Sequence, residues 1–360
     1  MKILDRYLLR EFMSYLALGL VGFISIFIVV DLIEKADVFL DHKAPLGLVT
    51  QFYLYRAPEV VVQVMPVALL LATFLGLGQL NKFGELTAMR TAGLSLMRIL
   101  APVFGLSIVA VFVGLVLSEF VVPAANRERD QIFEEKIQNQ KQDQARERAD
   151  VTYLGRGGRI FYIRLYDRVA QRMQDVSLFE LSHGDLTRRI DAASASWDGK
   201  RWVFENGFLR TFGAGGAEQA QSFVRMPVDG IAERPSDFSK DTPKPAEMNF
   251  LELRSYVDRL RASGARVENY LVDLHLKLAF PLVNFIVVLI GASLATRLRS
   301  QGAALGFGLS ILIAFLYYAF MRTGQALGHN GALPPYVAAW LGDAVFGVVG
   351  VAMIGLAQRR

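Results

Sequence analysis

Six long apolar segments constrain the fold of this chain more than any other feature of its sequence. A helix needs about 20 mostly apolar residues to cross the hydrocarbon core of a bilayer. The qualifying segments lie at about Phe12–Ile33, Val60–Leu80, Ile99–Val122, Leu278–Thr296, Ala304–Met321 and Tyr336–Leu356. We therefore predict an α-helical integral membrane protein with six transmembrane helices, three before a long polar region and three after it.

The composition narrows the kinds of site that the chain can contain. Of its 360 residues 53% are hydrophobic, none is cysteine, and the formal net charge is +5. The lack of cysteine excludes disulfides, thiol catalysis and cysteine-based zinc sites. The four histidines lack metal-ligand spacing, so no metal site is predicted. No basic stripe interleaved with aromatic residues is present, and we therefore expect no nucleic-acid partner.

The distribution of basic residues in the short loops predicts the orientation in the membrane. One set of loops and termini contains Lys2, Arg6, Arg10, Lys82, Arg90, Arg98, Arg297, Arg299, Arg359 and Arg360. The loops on the opposite side contain fewer, namely Lys35, Lys43, Arg56 and Arg322. Because basic loops remain in the cytoplasm, both termini are expected there and the long polar region is expected outside.

The polar region has the pattern of an all-β domain. In RIFYIRLY, Phe161, Ile163 and Leu165 alternate with more polar neighbours, as in a strand with one buried face. Similar short runs are DVSLFEL, LTRRIDAASASW, RWVFEN and FLRTFG. Between two of them, Asp198-Gly199 predicts a tight hairpin turn, because both residues tolerate a positive φ. Several short strands at this spacing favour a sandwich or jelly roll.

Enzymatic signatures are missing from the sequence. It has no G-x-x-x-x-G-K-[ST] phosphate loop, no G-x-S-x-G turn and no H-E-x-x-H pair. We therefore expect a protein that is not an enzyme and binds no cofactor directly. Energy for any driven transport has to come from a partner or an ion gradient. Ionisable residues inside the spans are few, Glu119 and Asp343, which gives little support for an ion pathway.

The stretch LNKFGELTAMRTAGLSLMRIL between the second and third spans permits two interpretations. In the first, it is an ordinary cytoplasmic loop whose charged residues are solvated. In the second, it is a docking helix on which Glu85, Met89, Ala92 and Leu96 lie along one line. Such a face would fit a groove on a cytoplasmic partner, and Glu85 would contact a basic group there.

Three segments resemble the LptF/LptG family of lipopolysaccharide-export permeases. They are ILDRYLLREF at the start of the chain, PEVVVQVMPVALLLATFLGLGQLNKFGELTAMRTAGLS through the second span, and YLVDLHLKLAFPL before the fourth. The resemblance covers essentially the whole chain, including three spans on each side of an outer β-domain. The tetrapeptide LDRY favours the LptG-type subunit.

The resemblance implies a set of partners and a coupling site. Permeases of this family pair with a second permease, here LptF-like, and use a cytoplasmic ABC ATPase dimer, LptB-like, which hydrolyses the ATP. The helix after the second span fits a groove on the ATPase, and the matching residues here are Glu85, Met89, Arg90 and Gly93. The exported lipopolysaccharide passes from the inner membrane to periplasmic bridge proteins that are LptC- and LptA-like.

The resemblance also implies lipid contacts outside the membrane. Basic groups are expected at the outer rim of the spans, where Lys35, Lys43 and Arg322 are candidates. Asp31 departs from family members that have a basic residue near this position. Arg322 could instead extend to the interface or pair with Asp343. In the β-domain, an acyl-chain groove could be lined by Phe161, Ile163, Leu178, Trp197 and Trp202, although each of these is also an ordinary candidate for the core.

Together these arguments predict five regions. Residues 1–122 contain transmembrane helices 1–3 and a coupling helix at about 81–98. Residues 123–150 form a connector, 151–245 a periplasmic β-jellyroll-like domain whose last part, from Gly230, is an extended linker, and 246–277 an amphipathic interfacial helix broken at Gly264. Residues 278–360 contain helices 4–6. Two other functions stay open, an ABC-linked mechanotransmission protein and a membrane-anchored periplasmic binding module.

Overall fold

The computed structural model describes residues 3–137, 147–155, 158–182, 185–212, 218–238, 244–262, 267–297 and 303–358. Lys2, Gly264, Arg299, Arg359 and Arg360 lie outside the described residues. The chain divides into two compact units. The first consists of the residues up to Arg129, Pro245–Phe250 and the residues from Glu268 onward, and the second consists of Asp130–Lys244 and Leu251–Val267.

The first unit is a bundle of long helices. In chain order the described helices are α1 (Ile3–Glu34), α2 (Ala36–Asp41), α3 (Leu46–Lys82), α4 (Glu85–Thr91), α5 (Leu96–Val116), α9 (Glu268–Arg297), α10 (Ala303–His329) and α11 (Pro335–Gln358). A π-helical turn, Leu117–Val121, continues α5 into α6 (Val122–Gln131). The last two residues of α6 and a second π-helical turn, Ile132–Ile137, belong to the second unit. Six helices are long and apolar enough to cross a membrane, which confirms the predicted transmembrane helices.

Helix α3 forms the centre of this bundle. Its middle residues Ala68, Leu69, Leu70 and Ala72 are fully or almost fully buried, and they share one apolar core with residues of α1, α5 and α9. In contrast, α1 and α10 leave most of their apolar residues exposed. Since exposed apolar faces of this size need lipid or protein around them, α1 and α10 define the surface that faces the membrane or another chain.

Helices α10 and α11 approach closely at a glycine of α10. A Cβ atom on Gly324 would come within 2.4 Å of the carbonyl oxygen of Ala338. Small residues at such positions allow helix backbones in membranes to pack closely. Any larger residue at position 324 would therefore push α11 away from α10.

The second unit contains one antiparallel sheet. Its strands are β1 (Glu147–Leu154), β2 (Arg159–Asp167), β3 (Arg172–Ser182), β4 (Asp185–Trp197), β5 (Trp202–Phe212) and β6 (Glu218–Val228). The predicted combination of six spans and a β-domain is confirmed. The strand order is consecutive from β1 to β6, whereas a jelly roll has Greek-key connections. Each strand pairs with the next strand along the chain, as in a series of hairpins, and this gives the sheet a meander order.

The predicted turn at Asp198-Gly199 joins β4 and β5. Trp197 and Trp202 are paired across it, and Gly199 has a φ of 96°. Asp198 does not take a positive φ. Its carboxylate instead accepts hydrogen bonds from the backbone N–H groups of Lys200 and Arg201, at 2.9 and 2.8 Å. These bonds hold the pKa of the Asp198 carboxyl below its ordinary value.

The runs RWVFEN and FLRTFG form a single strand. They are joined in β5 through Asn206, whose φ is 54°, and Gly207. A Cβ atom on Gly207 would come within 2.1 Å of the Asp191 carbonyl oxygen, so only glycine fits there. This local irregularity explains why the sequence pattern shows two separate runs.

The segment after β6 was predicted as an extended linker, and this is wrong for its first part. A single helical turn, α7 (Pro235–Phe238), inserts Phe238 into the core of the sheet. The Phe238 ring lies 5.0 Å from that of Phe161 and 5.5 Å from that of Trp202. The Trp202 indole also donates to the Glu233 carbonyl at 2.9 Å. Apolar burial and this hydrogen bond fix the segment on the sheet, which composition alone could not indicate.

After a 3₁₀ turn, Pro245–Glu247, the chain forms α8 (Phe250–Ala262). Leu253, Val257 and Leu260 are buried along one face of α8, as expected for an amphipathic helix. The second part of the predicted interfacial helix belongs to α9, which begins at Glu268 and continues into the fourth span.

Replacement of Phe238 tests its contribution to the β-domain. Phe238→Ala in the full-length protein should destabilise the sheet by about 3–5 kcal/mol, because it leaves a cavity among aromatic rings. Hydrogen exchange followed by mass spectrometry should show faster exchange in β2 and β5. Phe208→Ala, at an exposed position of β5, is the control and should leave exchange unchanged. Unaltered protection in Phe238→Ala would contradict this assignment of the core.

Candidate functional site

Helix α4 lies between two glycine turns. Gly84 and Gly93 have φ values of 75° and 88°, and α4 extends only from Glu85 to Thr91. The single helix predicted at about residues 81–98 is therefore wrong in its limits. Lys82 ends α3, and α5 begins after Ser95, whose hydroxyl accepts a hydrogen bond from the backbone N–H of Arg98. Positive φ values stop a helix, which explains both interruptions.

The side of α4 that contains Glu85 faces its own bundle. The Tyr7 hydroxyl of α1 donates to Glu85 Oε2 at 3.1 Å. Leu86 is buried, and Met89 packs against the same apolar core. The predicted line from Glu85 to Leu96 ends where α4 ends, so Leu96 belongs to another helix. The structure thus directs Glu85 and Met89 inward, while Arg90 and Gly93 are exposed.

The exposed surface of this connection contains an aromatic residue that sequence reasoning missed. Phe83, between α3 and α4, is 68% exposed, and the Lys82 ammonium lies 5.7 Å from its ring centroid. Thr87 and Arg90 are also exposed. The sequence did offer one signal for this residue, because a phenylalanine stands beside a glycine in a charged segment. We call Lys82, Phe83, Thr87 and Arg90 the α4 surface.

The same end of the bundle contains an ion pair between α1 and α5. Arg98 Nη2 lies 2.9 and 3.0 Å from the two carboxylate oxygens of Asp5. Both side chains are partly buried. We refer to the part of the bundle around Asp5, Tyr7, Glu85 and Arg98 as the α4 end.

At the opposite end of α1, Asp31 is the centre of a network of charged groups. Asp31 is only 5% exposed. Its carboxylate lies 2.6 Å from Lys35 Nζ and 3.3 Å from Arg56 Nη2, and it accepts a hydrogen bond from the Tyr53 hydroxyl at 3.2 Å. The acid that departs from the family pattern therefore pairs with Lys35, the residue expected to contact lipid.

A second carboxylate extends this network to α6. Glu59, one turn after Arg56 on α3, lies 3.3 Å from Arg56 Nη1 and 2.5 Å from Arg129 Nη1. Arg129 also donates to Asn126 Oδ1 at 3.1 Å. Sequence reasoning missed the roles of Arg56, Glu59 and Arg129, because their proximity arises from packing between helices. We call Asp31, Lys35, Tyr53, Arg56, Glu59 and Arg129 the Asp31 network.

The segment that returns from the second unit is also held by the extension of α5. Glu119, in the first π-helical turn, accepts a hydrogen bond from the backbone N–H of Phe250 at 2.8 Å. Asn126 and Arg127 donate to the carbonyls of Ala246 and Glu247 at 3.1 and 2.8 Å. Glu119 therefore has a structural partner.

Other predicted lipid contacts are placed apart from this network. Lys43 is exposed in the turn between α2 and α3. Arg322 donates to Gln325 Oε1 at 3.0 Å, and Gln325 donates to Asp273 Oδ1, also at 3.0 Å. Asp343 instead accepts a hydrogen bond from the Tyr317 hydroxyl at 2.7 Å. The suggested pair between Arg322 and Asp343 is therefore wrong, because the Tyr317 hydroxyl bonds Asp343 Oδ1 while Arg322 bonds Gln325.

The five aromatic and aliphatic candidates in the β-domain lie in its packed core. Phe161, Ile163, Leu178 and Trp202 are fully buried, and Trp197 packs against the same cluster. Phe238 covers two of them, as described above. In this conformation they act as core residues, and any acyl-chain groove along them is closed.

The fold, with the α4 surface and the Asp31 network at opposite ends of its bundle, defines the class of the protein. It is a multi-pass membrane protein with a β-domain inserted between its third and fourth candidate spans. The family profile described as "Lipopolysaccharide export system permease LptF/LptG" matches residues 6–355, so the chain belongs to that family. It is accordingly an inner-membrane permease of a lipopolysaccharide export complex. A comparison with curated proteins gives no match.

The Asp31 network makes a testable contribution to stability. Asp31→Asn should lower the free energy of unfolding by roughly 2 kcal/mol, because it removes the carboxylate that pairs with Lys35 and one of the two that pair with Arg56. Thermal unfolding of the full-length protein in mild detergent measures the change. Glu34→Gln, which removes an exposed acid three residues further along α1, should have no effect. Equal midpoints for the two variants would argue against a structural role for the network.

Proposed function

We propose that this chain is a transmembrane permease subunit of an ABC exporter, that it extracts lipopolysaccharide from the inner membrane, and that it passes the lipid to a periplasmic bridge. A separate cytoplasmic ATPase hydrolyses the ATP. The family match over residues 6–355 supports this proposal most directly. Within the family, the LDRY sequence of residues 4–7 supports an LptG-type subunit paired with an LptF-like permease.

In this proposal the α4 end lies in the cytoplasm, and the α4 surface docks on an LptB-like ATPase. Phe83 is the main apolar contact, because it is the large exposed side chain of the α4 surface. Aromatic residues that enter a pocket contribute much of the binding energy of protein interfaces. Arg90 and Lys82 add positive charge around it, so the matching groove should contain acidic groups. Glu85 is not one of the docking contacts in this proposal, since its carboxylate accepts a hydrogen bond from Tyr7.

In the same proposal the Asp31 network lies at the periplasmic surface and receives the phosphates of lipopolysaccharide. Three cations lie close together here: Lys35 directly after α1, Arg56 on α3 and Arg129 on α6. Arginine binds phosphate through paired hydrogen bonds. Asp31 and Glu59 satisfy these cations when no lipid is bound. When a phosphate binds, each cation could therefore exchange one anionic partner for another. LptC- and LptA-like proteins would form the bridge that accepts the lipid.

Removal of the Phe83 ring tests the docking surface. Phe83→Ala should weaken retention of the ATPase at least tenfold, as expected for an interface residue worth more than about 1.4 kcal/mol. The measurement is quantitative mass spectrometry of what co-purifies with the tagged full-length protein. Phe120→Ala, equally exposed but at the other end of the bundle, is the matched control and should retain the ATPase. Wild-type retention in Phe83→Ala, or no ATPase with any variant, would count against the proposal.

Two substitutions of opposite sign test the lipid site. Arg56→Gln should reduce co-purified lipopolysaccharide about tenfold, since it removes a charge-assisted contact. Asp31→Asn should maintain or increase bound lipid, because it removes the internal competitor for Lys35 and Arg56. Arg225→Gln, an exposed arginine on β6, is the control. If Arg56→Gln and Asp31→Asn lower bound lipid equally, the network is structural and does not bind phosphate.

A further inference from the structure

The first two turns of α1 contact both α4 and α5. Tyr7 donates its hydroxyl proton to Glu85 of α4, at 3.1 Å from Oε2 and 3.4 Å from Oε1. Asp5, half a turn earlier, forms the ion pair with Arg98 of α5. Tyr7 and Glu85 are 78 positions apart in sequence, and Asp5 and Arg98 are 93 positions apart. Two polar contacts therefore connect the start of the first helix to the segment around α4.

Apolar packing supports these polar contacts from the inside. Leu8 and Phe12 of α1 are buried, as are Leu86 of α4 and Leu96 of α5. All four belong to the same core cluster. The hydroxyl–carboxylate bond and the ion pair lie on the more exposed rim of this packed layer, where they restrict the orientation of α4 more than they add to stability.

The connections on both sides of α4 leave its orientation to side-chain contacts. Gly84 and Gly93 have positive φ values, and a Cβ atom at either position would meet no other atom within 4 Å. The side of each glycine on which a side chain would lie is therefore open. Because α4 has only seven residues, its own backbone does not determine its angle to α3 and α5. The contacts with α1 supply that restraint.

Helix α1 connects this end of the bundle to the Asp31 network. Tyr7 and Asp31 lie on one uninterrupted helix, and their separation of 24 residues corresponds to roughly 36 Å at 1.5 Å per residue. A displacement applied near Tyr7 would therefore be transmitted along a single rigid element to Asp31. The contacts of Asp5 and Tyr7 add directional restraints to the apolar packing between these helices, and their loss would weaken the transmission.

We propose that Asp5 and Tyr7 are positioning residues that fasten α4 and α5 to α1, so that movement of the α4 surface shifts α1 and, through it, the Asp31 network. Glu85 in this mechanism is the internal acceptor for Tyr7. This inference rests on the proposed function, because it assumes that an ATPase moves α4. It adds a route from the docking surface to the lipid site.

Removal of the Tyr7 hydroxyl distinguishes docking of the ATPase from coupling of ATP hydrolysis to lipid extraction. The complex of the full-length protein with its co-purifying ATPase and second permease is placed in liposomes that contain lipopolysaccharide. Tyr7→Phe should retain the ATPase at the wild-type level, yet reduce the lipid extracted per ATP hydrolysed about 3- to 10-fold, as expected for one hydrogen bond to a charged group. Tyr15→Phe, about two turns along the same helix, removes a hydroxyl with no hydrogen bond in the described part of the chain and should behave like the wild type.

Reversing the charges of Asp5 and Arg98 tests the ion pair between α1 and α5. Arg98→Asp should reduce the same ratio of lipid to ATP, because it opposes Asp5 with a like charge. The double variant Asp5→Arg/Arg98→Asp restores an ion pair of reversed polarity and should recover the ratio to within about twofold of the wild type. A double variant that folds and retains the ATPase but stays as impaired as Arg98→Asp would overturn the role of this pair.

A distance measurement decides the inference without any partner. Since the chain has no cysteine, Arg10→Cys on α1 and Ala88→Cys on α4 introduce unique spin-label sites at exposed positions. The label-to-label distance distribution should be narrow and should broaden when Tyr7→Phe is added. An unchanged distribution, or a wild-type lipid-to-ATP ratio in Tyr7→Phe, would refute the proposed fastening. Failure of the wild-type chain to retain any ATPase would refute the proposed function, whereas the label distances would still report on the contact.

Discussion

The hydrocarbon core of a bilayer offers no hydrogen-bonding partner, so every segment that crosses it has to satisfy its own backbone. This constraint explains why the apolar segments are continuous helices. Helix α3 shows the consequence, since its 37 residues extend over about 55 Å while the hydrocarbon core is about 30 Å thick. The excess length brings Arg56 and Glu59 to one end of the bundle and Lys82 to the other. Both candidate sites are therefore formed by helix ends.

Charges at these ends are stable because they are paired within the unit. A buried carboxylate such as Asp31 would be costly alone, and Lys35 and Arg56 offset that cost. The same pairing makes the network suited to exchange, because an incoming phosphate replaces one anion with another. At the α4 end, the ion pair of Asp5 with Arg98 joins α1 to α5. In the proposed function the two ends thus use similar interactions for different purposes, one for ligand exchange and the other for mechanical connection.

The features that sequence predicted are those determined by local pattern. The lengths of the apolar segments predict the six spans, and the alternation of apolar with polar residues predicts β2 to β4. The edge strand β6 was missed because it is mostly polar and exposed, so it lacks the alternation of a half-buried strand. Phe238 was assigned to a linker because its burial depends on strands far away in sequence. Glu85 was expected to face a partner, and its bond to Tyr7, 78 residues away, could not be inferred from helical spacing.

The segments that carry the family resemblance have a common physical property. The first, ILDRYLLREF, supplies Asp5 and Tyr7 to the α4 end. The second supplies Glu59 to the Asp31 network and Glu85 to the bond with Tyr7. The third, YLVDLHLKLAFPL, supplies Asp273, which accepts a hydrogen bond from Gln325 of α10. Each segment thus contributes a polar side chain that joins helices distant in sequence. Apolar residues in these helices can be exchanged for others of similar size, whereas such polar contacts require particular residue types.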